Sequence, residues 1–485
     1  MKRLKLLLWT LVALVAVLLP FVGVTLFATV ILPPVYGDTF VGALDDMYDR
    51  LNSIDEPKIV VVGGSSVAFG LDSEKLEEYT GMPVVNFGLY GALGTKVMLD
   101  LSESGINEGD IVIISPELDP QTMSLYFSAD TTLKALDENF SMVWDIDHEN
   151  WFNLLGGMWR FAGEKYERWQ TLRENGKKES NEVYQSQYFD PVYFDFDYFR
   201  PDNAMSEYYD VNTPVYLNSV IVDSSDFAAF ADYLNAYIER CRDKGATVYF
   251  SYCPMNELAV TDSDEGTKKY FDAKMRKMIN CEFITDLDSM VLDAGYFFDT
   301  NFHLNDAGVV LRTIQLGYDI RIATGNLGEM IADRIPPAPA LPGIDNIFKG
   351  EDENAVYFLY KELSNGSLAI VGLSEEGKTR KNLTLPLGAQ GKKVTVVEPG
   401  AFSGGAVVRL TVTADSNLKA FRNGAFEGAS TLRELWMMKP SGDSVNPPLS
   451  FYGTHEDFTV YIPEGSDYPE HYYWSERGLN FETLD

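Results

Sequence analysis

Short apolar runs alternate with amphipathic stretches from Lys58 onward: "IVVV", then "SEKLEEYTG", "VVNFG", "TKVMLDLSESG" and "DIVIIS". Runs that are apolar throughout suit strands covered on both faces, and the stretches of helical period between them supply the cover. The pattern predicts an α/β domain built on a parallel sheet. After a long interruption it resumes, with Phe227, Phe230, Leu234, Ile238 and Cys241 at helical spacing, a "KGA" stop and the strand "TVYFSY". This spacing makes Cys241 a core residue and not a ligand.

A different pattern precedes the alternation. Leu6 to Leu32 carries no charge and is predominantly apolar; even with Pro20 inside it, a helix of that length spans roughly 40 Å, against about 30 Å of bilayer hydrocarbon. A cleavable signal has a shorter core of about 7–15 apolar residues and a small-x-small cleavage site, whereas this stretch runs on into "VILPPVYGD". Residues 1–37 are therefore expected to form a cytoplasmic tip and an uncleaved transmembrane anchor. Lys2, Arg3 and Lys5 lie before it and the first acidic residue, Asp38, after it. The positive-inside rule then puts the N-terminus in the cytoplasm and the bulk of the chain outside the cell.

The interruption, about 130–217, is unusually aromatic: "YFDPVYFDFDYF" sets Tyr188, Phe189, Tyr193, Phe194, Phe196, Tyr198 and Phe199 among Asp190, Asp195 and Asp197. A cap subdomain with its own small core accounts for it; a sugar-stacking wall and a carboxylate cluster for calcium are the alternatives. At "IPPAPALPG", Pro336, Pro337, Pro339 and Pro342 make a stiff extended spacer over 335–344. The α/β domain is thus expected over 38–334 and a second domain over 345–485, in keeping with a chain of 485 residues, too long for one core.

The second domain repeats itself. "VTVVEPGAFSG" and "LKAFRNGAFEG" match position for position at an offset of 24 residues: Val394 with Leu418, Val397 with Phe421, Gly400 with Gly424, Ala401 with Ala425, Phe402 with Phe426, Gly404 with Gly428. That period, with its Gly-Ala-Phe turn, resembles the leucine-rich repeats of BspA-like surface proteins over about Ala355 to Asp485. Two full repeats are visible, so the flanking segments are expected to act as caps. The resemblance implies a β-rich domain that binds a surface protein or an envelope polymer.

Charge and cysteine usage narrow the function. With 72 acidic and 39 basic side chains the net charge is −33, which repels nucleic acid. The three cysteines, Cys241, Cys253 and Cys281, have no C-x-x-C spacing, which argues against a zinc ribbon and against a disulfide framework.

The first predicted strand ends in Gly63, Gly64, Ser65 and Ser66. A hydroxyl at the carboxyl edge of a parallel sheet stands where α/β ligands bind, and adjacent glycines admit close approach. A serine nucleophile needs a base and the base an orienting group. Of four histidines, His148 falls in the insertion and His455 and His471 in the repeats; His303 sits in "FFDTNFHLNDAGVVLRT", between a strand-like and a helical run, four residues after Asp299.

Strand-Gly-Gly-Ser early, then "NFGLYGALG", then Asp and "HLNDAG" late in the domain is similar in order to SGNH/GDSL-type hydrolases and acyltransferases, over about Lys58 to Thr324. The resemblance implies a flavodoxin-like three-layer fold. It also implies Ser65 as nucleophile, with Ser66 as the alternative, His303 as base and then acid, and Asp299 as its orienting group. The backbone N–H groups of Ser65 and Gly91 are implied as oxyanion donors.

Two departures stand out. Asp299 is four residues before His303, where the family has three. The third block's Gly-x-Asn-Asp has no counterpart, and the matching strand end reads "IISPELDP", with Glu117 and Asp119 where an amide is expected. The resemblance implies an esterase or O-acyltransferase working on acyl esters of a cell-envelope polysaccharide or teichoic-acid-like polymer, with no cofactor and no metal. A non-catalytic adhesion or scaffold protein is the alternative.

Overall fold

The computed structural model describes residues 9–10, 16, 19–37, 39–175, 192–193, 195, 215–261, 263–298, 300–326, 331–338, 348–350, 354–363, 366–422, 424–448, 451–469, 471, 474 and 478–484. Asp299, residues 339–347 of the spacer region, and all but Tyr193 and Asp195 of the aromatic run at 188–199 except Val192 lie outside them. The chain divides into two compact units, Met1–Phe199 with Pro214–Cys253 and Val260–Leu287 in the first, Pro254–Ala259 with Asp288–Asp485 in the second.

The first unit is α/β. Its elements in chain order are α1 (Ala43–Ser53), β1 (Ile59–Gly63), α2 (Ser65–Ala68), α3 (Ser73–Thr80), β2 (Val84–Gly88), α4 (Thr95–Glu103), β3 (Ile111–Ser115), α5 (Ala129–Ala135), α6 (Trp151–Asn175), α7 (Ser225–Asp243), β4 (Thr247–Phe250), α8 (Glu265–Met278) and β5 (Glu282–Phe283). The strands form one sheet in the order β2-β1-β3-β4-β5, every pair parallel. All five residues of β1, of β2 and of β3 are buried, so both faces are covered, as their unbroken apolar runs predict.

Local signals set the helix ends. The Asp72 carboxylate accepts the Lys75 N–H at 2.9 Å and caps α3, which closes at Gly81 with φ +71°. Ser224 caps α7 through the Phe227 N–H. Cys241 is fully buried on α7, among the core residues Phe227, Phe230, Leu234 and Ile238.

Register decides where the site can be. Ile59 pairs with Val84 on one side and Ile111 on the other, and Gly63 with Gly88 and Ser115. The three strands end level, so the loops after them leave the sheet at one edge. The chain runs from β1 out to β2 and returns past β1 to β3, which makes the β1/β3 boundary the switch point of the sheet.

The described part of the insertion is helical, with Leu133, Leu154, Met158 and Phe161 buried. At the N-terminus residues 19–26 are helical and Phe27–Ile31 forms a π turn. Among the described residues no helix is long and apolar enough to cross a membrane; the expected anchor falls partly on residues outside them.

The second unit begins before the proline spacer, with the loop around His303 and α9 (Asp306–Ala323), capped by the Asn305 carbonyl oxygen on the Gly308 N–H at 3.1 Å. It continues as β6 (Phe358–Glu362), β7 (Leu368–Leu373), β8 (Asn382–Thr384), β9 (Lys392–Val397), β10 (Arg409–Val412), β11 (Ala420–Phe421), β12 (Glu434–Met437), β13 (Thr459–Pro463) and β14 (Asn480–Leu484). Strands β8-β10-β12-β13-β14 stack as a five-stranded parallel ladder. A second parallel ladder runs β7-β9-β11. Half-buried charges tie this stack to earlier residues of the same unit and to each other: Arg422 meets Glu257 at 2.9 Å, and Lys361 pairs with Asp293 and, at 3.5 Å, with Glu398.

The repeat matches read from sequence lie on top of one another. Val397 pairs with Phe421, the Gly400 N–H donates to the Gly424 carbonyl at 2.9 Å, and the Phe402 and Phe426 rings stack at 5.7 Å and 16°. Gly400, Gly404, Gly424 and Gly428 all have φ between +66° and +78°, a left-handed turn that glycine makes without strain. The ladder continues past the two repeats on both sides, five strands in all, through the flanking segments expected to act as caps. Phe451 carries the aromatic stack on from Phe426 at 5.0 Å, and Gly453 has φ +95°. At these three turns the stack keeps an aromatic ring and a left-handed glycine.

Phe426 is fully buried and touches Phe402, Phe421 and Phe451. Phe426→Ala is expected to destabilise the second unit by about 3–5 kcal/mol, read as a lower denaturation midpoint of its slowest-exchanging strand amides.

Candidate functional site

The turn after β1 is shaped by what approaches it. A Cβ on Gly63 would lie 2.4 Å from the Ser115 carbonyl oxygen, and one on Gly64 would lie 2.2 Å from Glu117 Oε2. At Gly63 the clash is with backbone at the end of β3, so only glycine fits there; at Gly64 it is with the end of the Glu117 side chain. This is the physical use of the double glycine.

Ser65 and Ser66 open α2. Ser65 is partly exposed, whereas Ser66 is 2 % exposed with its side chain beside the Glu117 carboxyl. Of the two candidate nucleophiles, only Ser65 is open to an incoming group.

The second block braces this turn. The Asn86 amide donates to the Val67 carbonyl at 3.1 Å, its own oxygen accepts the Gly88 N–H at 3.1 Å, and a Cβ on Gly88 would strike the Val67 side chain at 2.4 Å. Gly91 lies in the loop after β2, where its carbonyl accepts from the Gln121 amide at 3.4 Å. Thr95 Oγ1 donates to the Thr122 carbonyl at 2.8 Å and ties that loop to the one after β3. The loops of all three blocks therefore share one edge of the sheet.

Glu117 occupies the place of the missing amide. It is 3 % exposed, and Oε1 accepts the Ser66 N–H at 2.6 Å. Burial pushes its carboxyl up from the ordinary range; the Ser66 N–H pulls the other way and Asp119 adds to the rise. Asp119 itself accepts the Gln121 N–H at 2.8 Å and the Thr122 hydroxyl at 2.6 Å. A carboxyl that resists ionisation opposes a developing oxyanion less than a full charge would, but it donates no second backbone-like N–H.

His303 belongs to the second unit, in the loop before α9, and is 5 % exposed. Its N–H donates to Thr300 Oγ1 at 3.0 Å and its carbonyl accepts the Phe298 N–H at 3.0 Å, which fixes the backbone of the loop. Asp299, its expected orienting group, lies outside the described residues.

One contact had no signal in the sequence. The Asp195 carboxylate, from the aromatic run, accepts the Ser73 N–H and hydroxyl, both at 2.7 Å, and the Asn86 amide at 2.9 Å. It thus rests on the same asparagine that braces the turn. Burial pushes its carboxyl up to about 7, the bonds from Ser73 and Asn86 pulling the other way. A carboxyl raised above its ordinary value of about 3.9 contributes in full below that pH and loses its contribution as pH climbs through about 7. Exchange of the Ser73 amide, corrected for its intrinsic rate, is expected to be slower at pH 6 than at pH 8, and Asp195→Asn to remove the difference.

Compared with protein-family models and with curated proteins, the chain matches none.

Proposed function

We propose that the protein is a membrane-anchored extracellular serine esterase or O-acyltransferase of SGNH type, acting on acyl esters of a cell-envelope polysaccharide or teichoic-acid-like polymer. The reading rests chiefly on Ser65, a partly exposed hydroxyl on the first turn beyond the carboxyl edge of a parallel sheet, at its switch point, with the glycines of two sequence blocks around it.

In this reading Ser65 Oγ attacks the ester carbonyl as His303 takes its proton. The tetrahedral oxyanion is held by the N–H groups of Ser65 and Gly91. The alcohol leaves with the proton from His303, and water or a polymer hydroxyl then releases the acyl group by the reverse steps. Asp299 holds His303 in its tautomer. The exposed apolar side chains Leu19, Phe21, Val22, Val24 and Leu26 of the N-terminal helical segment favour anchoring.

The test is labelling of the full chain by a fluorophosphonate followed by peptide mapping. Adduct on Ser65 supports the reading, and a chain that takes up no probe at any pH from 6 to 9 overturns it.

A second reading, a non-catalytic adhesion or scaffold protein that binds through its repeats, is favoured by Glu117, which takes the Ser66 N–H at the place where an oxyanion donor is expected. A chain that is silent to the probe and still sediments with envelope polymer would support it.

A further inference from the structure

Helix α6 is apolar on two sides. Leu154, Met158, Phe161 and Ala162 are buried in the first unit. Beside them, about a quarter-turn round the helix, run Phe152, Leu155, Trp159 and Tyr166, at spacings that align them in one stripe, and all four are exposed, Phe152 at 84 % and Trp159 at 60 %. Trp144, 72 % exposed, stands edge-on to Trp151 at 5.3 Å where the helix begins. A Cβ on Gly156 or Gly163 of the same stripe would meet nothing within 4 Å. The face of α6 opposite the buried one carries Arg160, Glu164 and Glu167, as a solvent face does; the flank between is a patch of large exposed apolar side chains, and such a patch marks something that covers it.

The stripe is continuous with the N-terminal segment. Ala28 and Leu32 pack against Ala162 and Trp169. The buried Lys165 ammonium donates to the Thr29 carbonyl at 3.0 Å and pairs with Asp137 at 2.7 Å. Asp137 in turn accepts the Val35 N–H at 2.7 Å, and Arg168 Nε donates to the Val35 carbonyl at 2.7 Å. The segment is thus locked to α6, and its own Phe27, Val30 and Ile31 are exposed beside it.

Composition points to one occupant. Indole and phenol groups belong where hydrocarbon meets water. In a chain of net charge −33, α6 holds four basic and three acidic residues, so it lacks the charge that would keep it from lipid phosphates. We infer that α6 is an interfacial helix whose Phe152, Leu155, Trp159 and Tyr166 lie in the headgroup layer of a lipid bilayer, beside the point where the N-terminal segment leaves it. The inference rests on the anchored reading and adds a second contact with the same bilayer. The anchor holds the chain to the membrane; the stripe sets the roll of the first unit on it.

The test uses the full chain in phosphatidylcholine nanodiscs brominated near the carbonyl end of the acyl chains, with tryptophan quenching as the readout. The wild-type chain should be quenched relative to plain lipid, and the pair W144F/W159F should lose more than half of that quenching at unchanged far-ultraviolet circular dichroism. W9F, in the expected anchor, should remove much of the rest. If W144F/W159F quenches as the wild type does while W9F does not, the anchor stands and the interfacial helix falls. Absence of lipid-dependent quenching in the wild type overturns both. Two chains per disc with Trp159 shielded from brominated lipid would make the occupant a second copy and overturn the inference.

Discussion

A Ser65→Ala chain is expected to take up no fluorophosphonate, while Ser66→Ala should keep the label. The two hydroxyls are neighbours on α2, and they differ in access: Ser65 is partly exposed and Ser66 is 2 % exposed with its N–H held by Glu117. If an acyl ester is turned over, Ser65→Ala should reduce kcat by roughly 10⁶-fold, the scale seen when a serine nucleophile is removed and binding is left intact. Replacing His303 should act on the same step and so add little to the loss already caused by Ser65→Ala. Labelling that persists on Ser65→Ala, or that moves to Ser66, would reverse the assignment. A Ser66→Ala chain with altered rate and unaltered label would trace instead to the packing under the turn.

A large loss of stability is expected from Asp110→Ala. Lys58 enters β1 and Asp110 enters β3; the ammonium and carboxylate meet at 3.0 Å, and neither side chain has any exposure. Asp110 also accepts the Lys58 N–H at 3.0 Å and the Asn107 N–H at 2.8 Å. Removing it strands a buried ammonium and two backbone donors, which costs about 3–5 kcal/mol. The measurement is the opening free energy of β1 and β3 amides by native-state hydrogen exchange. The double variant Lys58→Met with Asp110→Leu should recover most of the loss, because no charge is left without its partner. A double variant as unstable as the single one would show that the pair contributes more than mutual neutralisation.

Legibility followed the range of the interactions. The apolar runs of β1, β2 and β3, the Asp72 and Ser224 caps and the core face of α7 rest on contacts within a few residues, and each could be read from letters alone. The repeats were legible where their letters agree, between Val394 and Gly428. Past them, Phe451 and Gly453 keep the ring and the turn and little else. Asp195 on Ser73 and Asn86 left no trace, being a contact across more than a hundred residues between groups that each have ordinary local uses. Glu117 was visible as a departure at the end of β3; that it takes the Ser66 N–H and crowds Gly64 was not.

By itself, the sequence determined the α/β alternation, the acidic balance that disfavours nucleic acid, the repeat period and the serine turn, since periodicity, composition and glycine placement act locally. Tertiary structure alone decided the strand order β2-β1-β3-β4-β5, the common edge of three loops, the burial of Ser66 beside an exposed Ser65, and the bare aromatic face of α6. Those depend on which distant segments pack together, and a side chain carries no local mark of the neighbour it will meet.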